Sequence, residues 1–190
     1  MKNGEMVRQF ETEFAAYVGA RYAIALNSGT STLHTALVAL GVKPGELVTV
    51  PPLTMAATSI AVLHAGAIPV FVDVDPKTWL SEHRGKQTVC SIPVSLYGLH
   101  TKFRGPLVID DAAQTLRSHG GAAFTSYSFQ ASKILSLGEG GMLVTDSEEL
   151  ARRARWFSSL GYDLGSDTSK IDPGIIKNPT LSARMFFGRT

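Results

Sequence analysis

Seven short apolar segments are the feature that most constrains the fold of this chain. They lie at residues 23–26, 47–50, 68–72, 88–93, 107–109, 125–129 and 142–145. The segments are apolar throughout rather than alternating, which is typical of parallel strands covered on both faces. Apolar residues at helical spacing fall at 31–40, 55–65 and 147–160, and in the opening segment before Gly19. We therefore predict a three-layer α/β domain with a seven-stranded, mostly parallel sheet.

The connections between the strands are uneven. Segments 73–87 and 94–106 show no helical period, whereas a parallel crossover needs about a dozen residues or more and is usually a helix. Either these loops just complete the crossing, or one face of the sheet is thinly covered. Before the last helix, Asp146 with Glu149 three residues later predicts a capping box.

A change in composition near residue 162 predicts two regions. Residues 1–162 have the pattern of a compact domain, and the chain then becomes rich in Gly, Asp, Ser and Pro. Such a stretch is typical of a loop. A short apolar tail follows, and it would need a partner surface to cover it. We predict that residues 163–190 form this loop and tail and contact a second subunit.

Composition and charge exclude several classes of protein. Of the 190 residues, 44% are hydrophobic and 18% charged, with a formal net charge of +2 and no Lys/Arg run. This is globular composition, with no indication of a nucleic-acid or membrane partner. Cys90 is the single cysteine, and the five histidines lack metal-ligand spacing. The chain is therefore expected to be a cytoplasmic protein without a metal that handles a small molecule.

Three polar segments follow predicted strands. The first, NSGTST at 27–32, joins a strand to a helix, and a glycine before a helix N-terminus suits a phosphate. The second is the pair Asp110 and Asp111, at the edge where parallel sheets bind ligands. The third places Lys133 between apolar flanks, and an apolar pocket makes a lysine amine a better nucleophile.

Each segment alone has an ordinary structural explanation. The first is equally an N-cap without a ligand, the acids are equally a solvated loop, and most lysines are solvated. Their order along the chain changes this balance. A phosphate-binding turn, a strand-end carboxylate and a lysine after a strand are the groups that pyridoxal phosphate requires. They would anchor its phosphate, keep its ring nitrogen protonated and hold its aldehyde as a Schiff base.

Longer stretches of the chain resemble one family. They are residues 10–76, VSLYG at 94–98, VIDDAAQ at 108–114, residues 127–155 with YSFQASKILSLGEGG, and more weakly KNPTLSARMFFG at 177–188. Together they are similar to the DegT/DnrJ/EryC1/StrS family of fold-type-I aminotransferases, which act on nucleotide-linked keto sugars. The resemblance implies a pyridoxal phosphate-dependent aminotransferase, with glutamate as the expected amino donor and a keto sugar nucleotide as acceptor.

The resemblance implies the role of each catalytic residue. Lys133 matches the lysine that holds the cofactor and then moves a proton. Asp111 matches the partner of the pyridine nitrogen, and Gln114 matches a glutamine near the phenolic oxygen. Met55 stands where relatives often place an aromatic ring against the cofactor, and a methionine still packs on a ring face.

The phosphate-binding residues are likewise implied by the resemblance. Gly29 and Thr30 match backbone positions that bind the phosphate, and Ser128, five residues before the lysine, matches a serine that does so. Asn178 matches an asparagine that reaches a neighbouring subunit's phosphate. A homodimer is the expected assembly, because this residue, the thin sheet cover and the apolar tail all require a second chain.

The chain also departs from the family pattern. The family's C-terminal small domain is missing, the two crossovers are shorter than in relatives, and segment 117–125 is short. Since the substrate-side residues are the missing ones, two alternatives stay open. One is another pyridoxal phosphate reaction on a small amine, such as elimination or dehydration. The other is a non-catalytic pyridoxal phosphate-binding partner in a larger assembly.

Overall fold

The structure confirms the predicted class of fold. It is a computed structural model that describes residues 4–81, 84–102, 105–116 and 119–159. The predicted strands are all present, with ends that move by a few residues. In chain order, the elements are α1 (Glu5–Val18), β1 (Tyr22–Leu26), α2 (Gly29–Ala39), β2 (Leu47–Val50), α3 (Ala57–His64), β3 (Ile68–Phe71), β4 (Cys90–Ser91), β5 (Gly105–Asp111), β6 (Ala122–Ser128), β7 (Gly141–Thr145) and α4 (Glu148–Ser158).

The seven strands form one sheet in the order β1-β7-β6-β5-β4-β2-β3. Strand β7 runs antiparallel to both of its neighbours, β1 and β6. The remaining pairs are parallel. The sheet is therefore mostly parallel, as predicted. Strand β1 lies at the edge of the sheet and pairs only with β7.

Two apolar cores lie on opposite faces of the sheet. Helices α2, α3 and α4 cover one face, where Leu37 belongs to the larger core. Helix α1 covers the other face, where Phe14 packs edge-to-face against Tyr127 with ring centroids 5.1 Å apart. Successive residues of β7 alternate between the two, with Leu143 in the first core and Met142 in the second. These layers are the three that the apolar strands predicted.

The N-cap of helix α4 lies one residue later than predicted. Ser147 is the N-cap, and its hydroxyl accepts a hydrogen bond from the Leu150 amide at 3.3 Å. The Asp146 carboxylate instead accepts the Arg21 amide at 2.9 Å. The predicted capping box on Asp146 is therefore wrong, because this carboxylate is already used to tie the start of β1 to the end of β7.

The short crossovers leave the sheet thinly covered on one side. In the described residues, the connections 72–89 and 92–104 contain no helix. The first is held to β2 by polar contacts: the Gly85 amide donates to Thr49 Oγ1 at 2.8 Å, and Thr49 Oγ1 donates to Thr88 Oγ1 at 2.9 Å. Ile68 of the edge strand β3 is 49% exposed. Both alternatives predicted from the sequence thus apply. The loops complete the parallel crossovers without a helix, and they leave part of one sheet face thinly covered.

An ion pair with a buried carboxylate and a partly exposed guanidinium closes the edge of the sheet at β1. The Glu11 carboxylate, from α1, accepts the Ala25 amide at 2.8 Å and the Arg155 guanidinium at 2.9 Å. Arg155, from α4, also donates to the Ala23 carbonyl at 2.7 Å. The two side chains satisfy backbone groups that an edge strand otherwise presents to other chains. We call this arrangement the edge clasp, because it joins helices on opposite faces of the sheet.

Removal of one partner of the edge clasp is expected to destabilise the fold. Glu11→Ala leaves the Ala25 amide and Arg155 without their acceptor, and we expect the free energy of unfolding to fall by about 2–3 kcal/mol. The loss stays below that of a fully buried pair because the Arg155 side chain is 38% exposed. Urea denaturation measures it. Glu13→Ala on the exposed face of α1 is the matched control and is expected to change stability by less than about 0.5 kcal/mol.

Candidate functional site

The predicted site residues lie at one edge of the sheet. Strands β1, β5 and β6 run in the same direction, so their carboxyl ends share this edge. Ser28 follows β1, Asp111 ends β5 and Ser128 ends β6. Strand β7 begins here, with Gly141 in register with the ends of both β1 and β6. Ligands of open α/β sheets bind outside the carboxyl ends of the strands.

The N-terminus of α2 faces the end of β6. Ser28 is the N-cap, and its hydroxyl accepts the Ser31 amide at 3.1 Å. The Gly29 and Thr30 amides lie in the first turn, where a helix provides no acceptor. A Cβ atom at Gly29 would lie 2.9 Å from Ser128 Cβ and 3.3 Å from Ser128 Oγ. The missing side chain therefore lets the first turn of α2 approach Ser128 closely, and helix-terminal amides beside a hydroxyl suit an anion. We call Gly29, Thr30 and Ser128 the anion cup.

Buried contacts that sequence reasoning missed hold the anion cup in place. Thr32 Oγ1 lies 2.5 Å from Ser126 Oγ and donates to the Gly29 carbonyl at 2.6 Å. Both hydroxyls are fully buried. A Cβ atom at Gly141 would lie 2.5 Å from the Ser28 carbonyl oxygen. The small residue at this position lets β7 pass directly beneath the start of the helix.

Asp111 is a buried carboxylate with both oxygens engaged. It is 4% exposed, with Oδ2 accepting from Thr58 Oγ1 at 2.8 Å and Oδ1 from the Ala113 amide at 3.2 Å. Burial raises the pKa of Asp111, while Thr58, Ala113 and the nearby Lys133 charge act in the opposite direction with a smaller total effect. A cation bound against Asp111 would favour its ionised form.

The two adjacent acids have different surroundings. Asp110 Oδ1 accepts from Ser95 Oγ at 2.8 Å, and Asp111 is bound by Thr58 of α3. Consecutive side chains of a strand point to opposite faces, so only one of the two can face α3. The structure therefore separates them, and Asp111 is the acid on the side of α2 and α3. Ser95 links the pair, since its amide donates to the Asp111 carbonyl at 2.9 Å.

Lys133 lies in the irregular segment after β6. Its side chain is half-buried, and its amide donates to the Gln130 carbonyl at 2.8 Å. The Lys133 charge acts to lower the pKa of Asp111 and is the smallest of the contributions to it. The predicted apolar pocket is wrong on one side, because Ile134 is 71% exposed. After β6 the chain runs along the surface, so Ile134 does not line the site although it is adjacent to Lys133 in sequence.

Two further predicted residues lie around Asp111. The Gln114 side-chain oxygen accepts the Tyr97 amide at 3.2 Å, so the amide group of Gln114 is oriented by the loop 92–104. Met55 is 68% exposed and precedes α3 rather than beginning it. The Thr58 amide donates to the Met55 carbonyl at 3.2 Å, which places Met55 one turn from the Asp111 contact. Asn178, like the whole of 163–190, lies outside the described residues.

Thr58 is the residue at this site that sequence reasoning missed. It is 1% exposed, and a threonine inside an apolar helical pattern is ordinary. The available signal was its spacing of three residues from Met55, which puts both on one side of a helix. That signal has meaning only once Met55 has been placed near the site.

The edge therefore combines three chemical capacities. The anion cup suits a phosphate, Asp111 suits a cationic ring nitrogen, and the Lys133 amine suits a carbonyl carbon. Asp111 and Lys133 are close enough for their charges to interact. These are the separate groups that one phosphorylated, aldehyde-bearing heteroaromatic molecule would engage together.

The sequence profile of the DegT/DnrJ/EryC1/StrS aminotransferase family matches residues 1–175. The chain belongs to this family. Among curated members, the spore coat polysaccharide biosynthesis protein SpsC of Bacillus subtilis is 39% identical over 185 residues, which cover 85% of this chain and 47% of the relative. GDP-perosamine synthase of Caulobacter vibrioides is 38% identical over 182 residues, which cover 84% and 49%. The chain thus spans about half the length of the curated relatives it matches.

Solved structures of similar proteins share the fold. NtdA from Bacillus subtilis, with bound cofactor PMP, has a TM-score of 0.81 and 32% identity, covering 90% of this chain and 44% of that chain. DesI in the presence of its TDP-sugar product has a TM-score of 0.76 and 28% identity, covering 88% and 48%. The sheet of this chain is therefore that of fold-type-I aminotransferases, as the sequence predicted.

Two searches of the described residues bear on other kinds of site. Within residues 4–81, 84–102, 105–116 and 119–159, no group of three or more His, Cys, Asp and Glu side chains is placed to hold a metal ion. None of the helices in these ranges has the length and hydropathy needed to cross a membrane.

Proposed function

We propose that this chain contributes the cofactor-binding domain of a pyridoxal phosphate-dependent aminotransferase that acts on a nucleotide-linked keto sugar. One observation carries the proposal. In a member of an aminotransferase family, the buried carboxylate of Asp111, on which the Lys133 charge acts, lies at the sheet edge that also holds the anion cup. Structures of relatives with PMP and with a TDP-sugar product support this choice of cofactor and substrate class.

The donor set fits pyridoxal phosphate at each end of the molecule. The anion cup of Gly29, Thr30 and Ser128 would hold the phosphate, since only a residue without a Cβ fits at Gly29. Asp111 would pair with the ring nitrogen, and Lys133 would bind the aldehyde carbon. The cofactor, when bound, supplies a ring that accepts electrons from the substrate's reacting carbon.

Residues around the ring complete the proposed site. Met55 would pack on a ring face, and the Gln114 amide would lie near the phenolic oxygen. Asn178 of a second subunit would add a donor to the phosphate. The Met55 carbonyl accepts the amide of Thr58, and the Thr58 hydroxyl binds Asp111. Gln114 follows Asp111, the last residue of β5, by three positions.

Asp111 and Lys133 have distinct proposed roles. Asp111 would hold a proton at the ring nitrogen, and its burial would make that charge–charge contact strong because water would not screen it. Thr58 and Ala113 fix the direction of the carboxylate. Lys133 Nζ would hold the cofactor and would move a proton at the substrate carbon.

The amino donor and the assembly are proposed on separate grounds. We propose glutamate as donor, because a relative of 35% identity is a 3-oxo-glucose-6-phosphate:glutamate aminotransferase. We propose a cytoplasmic homodimer, because large apolar side chains such as Ile68 and Phe71 stay exposed at the thinly covered end of the sheet. Light scattering tests the assembly, and a monomer at micromolar concentration would contradict it.

The experiment that tests the cofactor and the reaction has two stages. The purified protein is mixed with pyridoxal phosphate, its absorbance is recorded before and after borohydride, and the adduct is mapped by mass spectrometry. A visible band that reduction locks onto Lys133 is expected. Glutamate is then added with a keto sugar nucleotide, and amine exchange is followed. An adduct on Lys133 without turnover would favour the non-catalytic binding partner, whereas loss of a substituent from a small amine would favour elimination.

A methyl group at the anion cup is expected to weaken cofactor binding. In Gly29→Ala the added Cβ meets Ser128, so this hydroxyl or the helix must move. Loss of one hydrogen bond to a charged phosphate corresponds to a dissociation constant raised roughly 10- to 100-fold. Titration with pyridoxal phosphate measures it. Gly120→Ala is the control, since a Cβ there meets nothing within 4 Å. Equal affinity in both variants would remove Gly29 from the phosphate site.

A further inference from the structure

Two exposed aromatic side chains form a corner beside this site. Trp79 lies in the loop 72–89 and Tyr97 in the loop 92–104. Their ring centroids are 5.9 Å apart and their planes meet at 72°. Trp79 is 52% exposed and Tyr97 is 65% exposed. We call these two residues the aromatic corner.

Buried neighbours hold both rings outward. Leu80, next to Trp79, and Leu96, next to Tyr97, are buried together in one small apolar cluster. The Trp79 amide donates to the Asp75 carbonyl at 2.7 Å, and the Asp75 amide donates to the Leu80 carbonyl at 3.0 Å. The hydrogen bonds thus fix the first loop, and the apolar cluster packs the two loops against each other beside the rings.

The backbone at both aromatic residues is in a disfavoured conformation. Trp79 has φ +61° and Tyr97 has φ +52°, in the left-handed region that large L side chains rarely adopt. Such conformations persist only where the surroundings impose them, and they cluster at ligand-binding sites. Gln87, on the same loop as Trp79, has φ +62°, so the loops themselves impose these conformations and hold both rings in fixed positions.

The aromatic corner adjoins the cofactor site through two hydrogen bonds. The Tyr97 amide donates to the Gln114 side chain at 3.2 Å. The amide of Ser95, two residues earlier, donates to the Asp111 carbonyl at 2.9 Å. The loop that carries Tyr97 is therefore continuous with the residues around Asp111.

We propose that Trp79 and Tyr97 stack the flat base ring of a nucleotide-linked substrate. This inference rests on the proposed function for the class of substrate. Two rings that meet at a steep angle leave a corner in which a third flat ring can stack on one and meet the other edge-on. Aromatic side chains bind every base by its π-face.

The charges on the same loops suit a nucleotide. Lys77 and Lys102 are exposed on the two loops, and cations there would attract the phosphates that join base to sugar. Two carboxylates precede Trp79 on the first loop, and each accepts backbone amides locally. Asp73 Oδ1 accepts the Val74 amide at 2.8 Å, and Asp75 Oδ1 accepts the Lys77 and Thr78 amides at 2.8 and 2.9 Å. A second copy of the chain is the competing occupant of the aromatic corner.

Tryptophan fluorescence tests the proposal without any cofactor. The chain has two tryptophans, and Trp156 is only 5% exposed. In Trp156→Phe, Trp79 is the single emitter; should that variant not fold, the difference between wild type and Trp79→Phe isolates the same signal. The protein is titrated with uridine, thymidine and guanosine 5′-monophosphates, and with ribose 5-phosphate. Saturable quenching by the nucleotides and none by ribose 5-phosphate is expected.

Variants of the second ring distinguish stacking from nearby charge. Tyr97→Ala is expected to weaken nucleotide binding roughly 10-fold or more, while Tyr97→Phe retains it. Tyr17→Ala on α1 is the control, because Tyr17 is also exposed, at 66%. Equal quenching by ribose 5-phosphate, or no quenching of a folded protein, would overturn the proposal. So would Trp79 emission that follows protein concentration and ignores nucleotide, since a second copy would then cover the rings.

The same titration separates this inference from the proposed function. It is repeated with Lys133→Ala and without pyridoxal phosphate, where the aromatic corner is unchanged. Nucleotide binding that persists there supports the inference even if the cofactor proposal fails. A Lys133 adduct that forms in a protein whose Trp79 does not respond to nucleotides would leave the cofactor proposal standing and overturn this one.

Discussion

Lys133→Ala is expected to abolish both the covalent attachment of pyridoxal phosphate and turnover. The variant loses the amine proposed to bond the cofactor and to move the proton, so we expect activity to fall by roughly 10⁴-fold or more. The visible band and the borohydride-reducible mass at residue 133 should both disappear. Binding by the anion cup is expected to survive, because Gly29, Thr30 and Ser128 are untouched.

Lys43→Ala is the matched control for this loss. Lys43 is exposed in the turn after α2, away from the sheet edge that carries the site. It should keep the band, the adduct and the turnover of the wild type. A reducible adduct that persists in Lys133→Ala, at any other lysine, would contradict the assignment of Lys133 as the attachment point.

Asp111→Asn is expected to lower the activity of the protein and to raise the stability of its cofactor-free form. The amide cannot hold a positive charge at the ring nitrogen, and loss of one such charge contact costs about 10²–10³-fold in kcat. The cofactor-free protein, in contrast, should gain stability at neutral pH. An amide is cheaper to bury than a carboxylate, and it can still accept from Ala113 and donate to the Thr58 hydroxyl.

The pH dependence of this gain in stability follows from the direction in which the pKa of Asp111 is shifted. Burial, the largest cause, raises the pKa of Asp111 in the folded state above its unfolded value. Its contribution to stability is then complete below the unfolded pKa and is lost as pH rises through the folded one. The difference in unfolding midpoint between Asp111→Asn and wild type should therefore grow with pH above the ordinary carboxyl range. A difference that is constant with pH would contradict the raised pKa.

Asp110→Asn is the control for the role in chemistry. Asp110 is equally buried, but it bonds Ser95 instead of Thr58. The two variants are compared by the cofactor spectrum alone. We expect the band of the bound cofactor to persist in Asp110→Asn and to shift in Asp111→Asn. The reverse result would exchange the roles of the two acids.

The order of strands and polar segments made much of this site predictable. Apolar runs mark buried parallel strands, and the carboxyl ends of such strands share one edge, so Asp111 and Ser128 were expected near each other. Their roles came from the family resemblance, and from the residues alone each had an ordinary explanation. The contact between Gly29 and Ser128 shows why a glycine is needed there, which the motif by itself did not.

Other features depend on packing between distant segments. Thr58 binds Asp111 across 53 positions of the chain, and Arg155 binds Glu11 across 144. Neither pair leaves a local pattern in the sequence. The same reason explains the error at Asp146, where a capping motif was predicted from spacing. A partner 125 positions away, Arg21, uses that carboxylate instead.

The edge clasp has a consequence for the order in which this protein assembles during synthesis. Strand β1 is made early, but its neighbour in the sheet is β7, and Arg155 of α4 comes later still. A nascent chain that has emerged only as far as β6 therefore holds a strand with both edges unpaired. Contacts this distant in sequence form slowly. We expect α1 and β1 to become protected from hydrogen exchange only after α4 has left the ribosome, because Arg155 of α4 bonds to β1 and to Glu11 of α1.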